Sequence, residues 1–200
     1  MDSEAITAVI LAGGRGSRLN GQDKGLVKIA GRPMISFVID ALRGQAADII
    51  ISANRHLPEY AEFGLPVLKD SVTGYPGPLA GILTALEHCA TDYLLTVPCD
   101  APLLDDNFAG HMLQRLTSSN ADACVAESHG RWQPVHTLLH TRVRESAEKA
   151  IDRNDLAMHS WLKTLNTVTV DFTDSAEQFE NLNNEIDRQR LQQLLTCTNN

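Results

Sequence analysis

The chain has 200 residues, 43% of them hydrophobic and only 5% aromatic, which suits one globular domain (1–200) with a sizeable aliphatic core. Its formal net charge of −8 argues against a general nucleic-acid binder, which would show a basic face, so any anion site must be local. The acidic start MDSEAIT lacks the basic stretch of a signal peptide, no apolar run approaches the roughly 18 residues of a membrane span, and a cytoplasmic protein with no membrane partner is expected.

Taken in order, the short β-branched runs ITAVILA (6–12), DIIISA (48–53), YLLTVPC (93–99), ADACVAE (121–127), PVHTLLH (134–140) and TVTVDF (167–172) read as strands. Helical patterns lie between several of them. Residues 33–43 place Met34, Ile35, Val38, Ala41 and Leu42 on one stripe, with Pro33 in the first turn and Gly44 as a stop. Residues 78–89, 105–117, 142–151 and 184–195 read the same way, and the tail over 193–200 is expected to fray. The first three strands are apolar on both faces, which predicts a three-layer α/β/α, Rossmann-like fold with a mainly parallel central sheet.

In such a fold ligands bind beyond the carboxyl ends of the strands. After the first strand comes AGGRGSRLNGQDKG (12–25), where glycines bring backbone N–H groups close to an oxyanion and cations add charge-assisted bonds. From Gly13 to Arg32 the chain carries Arg15, Arg18, Lys24, Lys28 and Arg32 against the single acid Asp23, a local excess suited to a polyphosphate. The loop is neither a Walker A motif, since no Gly-Lys-Ser/Thr occurs, nor a dinucleotide fingerprint, since Leu19 stands at the third glycine position. The stretch TVPCDAP (96–102) ends a strand on Asp100, a carboxylate placed to hold Mg²⁺ beside phosphate oxygens. In VLKDSVTGYPGPLAG (67–81), Asp70 follows a short strand and a Gly-Pro-rich turn leads into a helix near Pro78.

Other residues read as structural. Cys89, Cys99, Cys124 and Cys197 show no C-x-x-C spacing and read as reduced thiols. His136 and His140 on a strand point to one face about 13 Å apart, too far to share a metal ion. Trp132 could edge a ligand pocket, although packing explains it better.

LAGGRGSRLNGQDKGL resembles the signature loop L-A-G-G-x-x-x-R-[ML]-G-x-x-K of sugar-nucleotide-type nucleotidyltransferases. Together with ISANRH (51–56), KDSVTGYPGPLAG (69–81), VPCDAPLL (97–104) and FENLNNEID (179–187), it is similar to the molybdenum cofactor guanylyltransferase (MobA) family. The blocks run from residue 11 to residue 187 in that family's order. The resemblance implies transfer of GMP from GTP to molybdopterin, releasing pyrophosphate and forming the guanine dinucleotide cofactor. It implies that Leu11, Ala12, Gly13, Gly14, Lys24, Asn54, Asp70 and Asp100 contact GTP, that Arg18 lies near the triphosphate, and that Lys24, Arg18 and Asp100 are catalytic. Asp100 would bind Mg²⁺, and Asn181 and Asn183 would lie on the pterin side. Two positions depart from the pattern. Ser52 stands where the family often has an asparagine facing the nucleotide, with Asn54 kept nearby, and Asn20 replaces a glycine, a change that asparagine's tolerance of unusual backbone angles accommodates.

A terminal phosphate with a second pKa of about 6 is already a nucleophile at neutral pH, so positioning and charge stabilisation suffice and no general base is required. Alternatives are a related nucleotidyltransferase using CTP or a sugar-phosphate acceptor, and a non-catalytic nucleotide sensor. Cofactor insertion proteins or apo-molybdoenzymes are the expected protein partners, and a monomer is the expected state.

Overall fold

A computed structural model describes residues 5–13, 22–70 and 77–197. Its centre is a seven-stranded sheet in the order β5-β4-β1-β6-β8-β7-β9. The strands are β1 (Ile6–Leu11), β4 (Asp48–Ser52), β5 (Val67–Leu68), β6 (Tyr93–Pro98), β7 (Ala123–Ser128), β8 (Arg131–His140) and β9 (Thr167–Asp171), while β2 (Lys28–Ile29) and β3 (Arg32–Pro33) form a separate two-stranded hairpin. β1 pairs in parallel with both β4 and β6, β4 with β5, and β7 with β9. The mainly parallel sheet expected from the sequence is therefore present, with β8 running antiparallel between β6 and β7.

The reversal has a local cause. β7 and β8 are joined by His129-Gly130, both with positive φ (50° and 70°), and Ser128 pairs with Arg131 across them. Such two-residue loops turn with the natural twist of the strands, and glycine takes the second position without strain.

Helices cover both faces, as the alternation along β1 requires. Ile6, Ala8 and Ile10 pack towards α1 (Met34–Leu42) and α4 (Phe108–Ser118), burying Ile35, Val38, Leu42, Phe108 and Met112. Val9 points the other way, against Leu79, Ile82 and Leu86 of α3 (Pro78–His88), with α5 (Arg144–Asp152) and α6 (Met158–Leu162) completing that layer through Ala147, Trp161 and Leu162. Successive strand residues face opposite sides, so an all-apolar strand needs both layers. The helix expected over 105–117 begins at Phe108, and the one expected over 142–151 begins at Arg144 after a turn of 3-10 helix, Thr141–Val143. Sequence periodicity missed the five-residue helices α2 (Leu57–Ala61) and α6, which are too short to display it.

A third cluster sets the site's far wall. Leu191 and Leu195 of α7 (Glu185–Cys197) pack with Leu182, Met34 and Ile29 of the β2–β3 hairpin, and Arg188 Nη2 donates to the Lys28 carbonyl (3.3 Å). The segment before α7 is thereby carried back to the turn that follows β1. The helix extends to Cys197, into the tail expected to fray, and residues 198–200 lie outside the described residues.

Candidate active site

Three strand ends come level at the point where the chain order of the sheet reverses direction. Leu11 of β1 is in register with Ser52 of β4 on one side and Pro98 of β6 on the other. Chain segments leaving adjacent strands there diverge and open a crevice, the usual ligand position in open α/β sheets. Ala12 N donates to the Ser52 carbonyl (2.8 Å) and Cys99 N to the Leu11 carbonyl (3.2 Å), so the segments that carry Gly13 and Asp100 leave the sheet side by side.

On the β4–β5 side, Asp70 is fixed by two neighbours. Asn54 Nδ2 donates to Asp70 Oδ2 (2.7 Å), Asp70 N donates back to Asn54 Oδ1 (3.1 Å), and Ser52 Oγ donates to Asp70 Oδ1 (3.1 Å). Ser52 is buried and its hydroxyl acts on Asp70. Gly13 sits against this pair: a Cβ there would be 3.3 Å from Asn54 Nδ2. Gly81, in the first turn and a half of α3, lets the helix lie directly on it, since a Cβ would fall 2.5 Å from Ser52 Oγ and 3.0 Å from Leu11 Cδ2.

On the β1–β6 side, Lys24 Nζ donates to Asp100 Oδ2 (2.7 Å) and to Asn183 Oδ1 (3.0 Å). The lysine side chain is 27% exposed and the aspartate side chain 10%, so the pair is partly desolvated yet reachable. An ammonium has three donors, and these two bonds leave one for a phosphate oxygen. Asn183 is held by the start of α7, where Asn184 Oδ1 caps Ile186 N and Asp187 N, and Asp187 Oδ2 accepts from Asn183 N and Asn184 N. This reciprocal capping box satisfies N–H groups that a helix start leaves open. Asn181 lies two residues earlier with Oδ1 buried and without a partner among the described residues.

The structure thus assembles Leu11, Ala12, Gly13, Asn54 and Asp70 on one side and Lys24, Asp100 and Asn183 on the other. Gly14, Arg18 and the turn at 71–76 fall outside the described residues, as do Arg15 and Asn20. Two of the five cations counted from Gly13 to Arg32 stand on the β2–β3 hairpin. Arg32 pairs with Asp40 (2.5 Å) and lies over the Phe37 ring (4.6 Å), while Lys28 is exposed and lines a groove of about 580 Å³ with Arg188 and His56. Both side chains stand on a hairpin that packs against α7, and a count along the chain cannot register that placement.

The donor chemistry fits Mg²⁺. Among the described residues no group of three or more His, Cys, Asp and Glu gathers as for a protein-enclosed metal. Asp100 therefore offers one carboxylate, and Mg²⁺ takes one or two such ligands with the remainder from phosphate and water. The adjacent Cys99 is no rival, because burial raises its thiol pKa well above the ordinary value and keeps it protonated. His136 and His140 both lie on β8, the strand expected for them. His136 is buried among Phe108 and Phe179 (ring centroids 6.1 and 4.9 Å), and His140 meets Tyr93 edge-on. Trp132 packs against His159 (5.1 Å).

Gly13 and Lys24 follow the first strand and Asp100 follows the neighbouring one, and residues 8–169 match the MobA-like NTP transferase domain family, which makes the chain a nucleotidyltransferase. The chain is 40% identical to the molybdenum cofactor guanylyltransferase of Shewanella piezotolerans, over 98% of this chain and 96% of that protein, and 42% identical to that of Shewanella sediminis, over 95% and 97%. It belongs to the molybdenum cofactor guanylyltransferase family. The fold is shared with molybdopterin-guanine dinucleotide biosynthesis protein A from Archaeoglobus fulgidus, with a TM-score of 0.80 at 20% identity over 95% of this chain and 98% of that one. It is also shared with a nucleotidyl transferase from Methanothermobacter, with a TM-score of 0.75 at 17% identity over 97% and 99%. No helix among the described residues is long and apolar enough to cross a membrane.

Proposed function

We propose that this site transfers GMP from GTP to the terminal phosphate of molybdopterin, with Lys24 as the central cation and Asp100 as the Mg²⁺ ligand. One observation carries the reading: a single ammonium touches both Asp100, just after the strand β6 that lines the nucleotide crevice, and Asn183, on the segment brought in by α7.

An oxygen of the acceptor phosphate attacks the α-phosphorus of GTP, the bond to the β-phosphate oxygen breaks, and pyrophosphate leaves. The attacking oxygen needs no deprotonation at neutral pH. What opposes reaction is repulsion between two polyanions and the loss of freedom in aligning them, so fixed charge and positioning are what the protein must provide. Lys24 supplies the charge between the two phosphates. Leu11, Ala12 and Gly13 bring backbone close to the nucleotide, and Gly14 and Arg18 complete the phosphate contacts. Asn54 and Asp70 hold the nucleoside end, with Ser52 fixing the Asp70 carboxylate. Asn181 and Asn183 take the pterin side. Asp100 would hold Mg²⁺, which would supply Lewis-acid stabilisation of the phosphate charge. The product passes on to cofactor insertion proteins or apo-molybdoenzymes, and the enzyme works as a cytoplasmic monomer.

The test is pyrophosphate release from GTP in the presence of molybdopterin and Mg²⁺. Lys24→Ala and Asp100→Ala each lower the rate by about 10²-fold or more, the scale seen when one stabilising group is removed, and chelation of Mg²⁺ does the same. CTP does not replace GTP. Full activity in both variants would sink the assignment.

A further inference from the structure

Behind Lys24 lies a buried polar arrangement that the transfer reaction does not use directly. Lys24 opens a turn of 3-10 helix, Lys24–Leu26, whose N-cap is Asp23: Oδ1 of Asp23 accepts from Gly25 N (3.2 Å), and its carbonyl accepts from Leu26 N and Val27 N (3.1 and 3.2 Å). The same Oδ1 accepts a short hydrogen bond from the hydroxyl of Tyr60. Tyr60 is fully buried and Asp23 nearly so, and Asp23 Oδ2 has no partner among the described residues. The turn is also fenced sterically. A Cβ on Gly25 would lie 2.6 Å from the Tyr60 hydroxyl and 3.2 Å from Cys99 Cβ, so the peptide that follows Lys24 is clamped between α2 and the residue preceding Asp100.

A buried carboxylate is costly unless it is hydrogen-bonded, and here the partners it holds are the turn carrying Lys24 and one phenol. We propose that Tyr60 and Asp23 are positioning residues for Lys24: the phenol anchors the carboxylate, the carboxylate fixes the turn, and the turn sets the ammonium between Asp100 and Asn183. Burial raises the Tyr60 phenol far above its ordinary range, which keeps it a donor at every working pH. The geometry also ties the two halves of the site together. Tyr60 lies six residues after Asn54 on the segment leaving β4, so one stretch of chain holds Asp70 through Ser52 and Asn54 and holds Lys24 through Tyr60. The inference rests on Lys24 being the central cation of the proposed reaction.

Tyr60→Phe removes the hydroxyl and keeps the ring. In steady-state GMP transfer with GTP, molybdopterin and Mg²⁺, kcat falls about 10- to 100-fold, the scale of a catalytic group displaced by about 1 Å, while KM for GTP changes less than about threefold. In a Lys24→Ala background, Tyr60→Phe lowers the rate no further, because the group it positions is gone. Asp23→Ser repeats the kcat loss from the other side of the contact: serine still caps the turn but is too short to receive the phenol. It decides by the same criteria if Tyr60→Phe does not fold. Wild-type kcat in a folded variant, an effect confined to KM, or a loss that multiplies with Lys24→Ala would each overturn the positioning role. A Lys24→Ala enzyme as active as the wild type overturns instead the reaction on which it rests.

Discussion

Substitution of Gly81 by alanine puts helix propensity against packing, and the structure says which wins. Alanine in a helix interior is favoured over glycine by about 1 kcal/mol, so a reading of α3 alone expects Gly81→Ala to stabilise. The added methyl, however, would stand 2.5 Å from Ser52 Oγ, 3.0 Å from Leu11 Cδ2 and 3.3 Å from Asp70 Oδ1. Leu11 can give by a small rotation, but Ser52 can clear the methyl only by swinging its hydroxyl away from Asp70 or by pushing α3 off the sheet. The first loses a hydrogen bond to a charged group, about 1.5–3 kcal/mol, and the second carries the usual overpacking cost of about 1–3 kcal/mol. Less the propensity gain of about 1 kcal/mol, Gly81→Ala destabilises by about 0.5–2 kcal/mol through loss of that hydrogen bond, a fall in Tm of about 1–8 °C at this chain length, read by urea and thermal unfolding. Because Asp70 loses its fixed orientation, KM for GTP rises several-fold as well. Ser52→Ala, combined with it, removes the atom in the way, so the double variant is more stable than the two single losses add up to, by about 1 kcal/mol or more. A Gly81→Ala protein as stable as the wild type, or more so, would refute the reasoning.

Two other changes probe the surroundings of the site. His136 is buried among aromatic rings, and burial lowers its pKa to about 3, against about 6.5 in an unfolded chain. The unfolded state therefore binds the extra proton between those values, and stability falls as pH drops below about 6.5, by up to about 1.4 kcal/mol per pH unit. Urea unfolding of the wild type and His136→Leu at pH 7, 6 and 5 should show the flatter dependence in the variant; parallel slopes would contradict it. At the start of α7, Asn184→Ala removes the cap that also fixes Asn183. Stability drops by about 1 kcal/mol and KM for molybdopterin rises while KM for GTP holds; equal changes in both constants would place Asn183 elsewhere than on the acceptor side.

The identity of most elements, and the chemistry of several site residues, could be read along the chain, because both depend on neighbours a few positions apart. Apolar strands such as ITAVILA announce two covered faces, the stripe over 33–43 announces α1, and the end of a strand marks where Asp100 must emerge. Tertiary structure decided the rest. Lys24 and Asn183 are 159 positions apart and meet only because α7 packs its leucines on the β2–β3 hairpin. That same hairpin carries Arg32 to Asp40, although along the chain it counts equally with Lys24. The bond from Ser52 to Asp70 depends on β4 and β5 ending side by side, and the bond from Tyr60 to Asp23 on a five-residue helix too short to show a period. Local periodicity and spacing are properties of the chain itself, whereas which cation reaches which carboxylate is set by packing between segments remote from one another, and that becomes definite only once the layers have closed on the sheet.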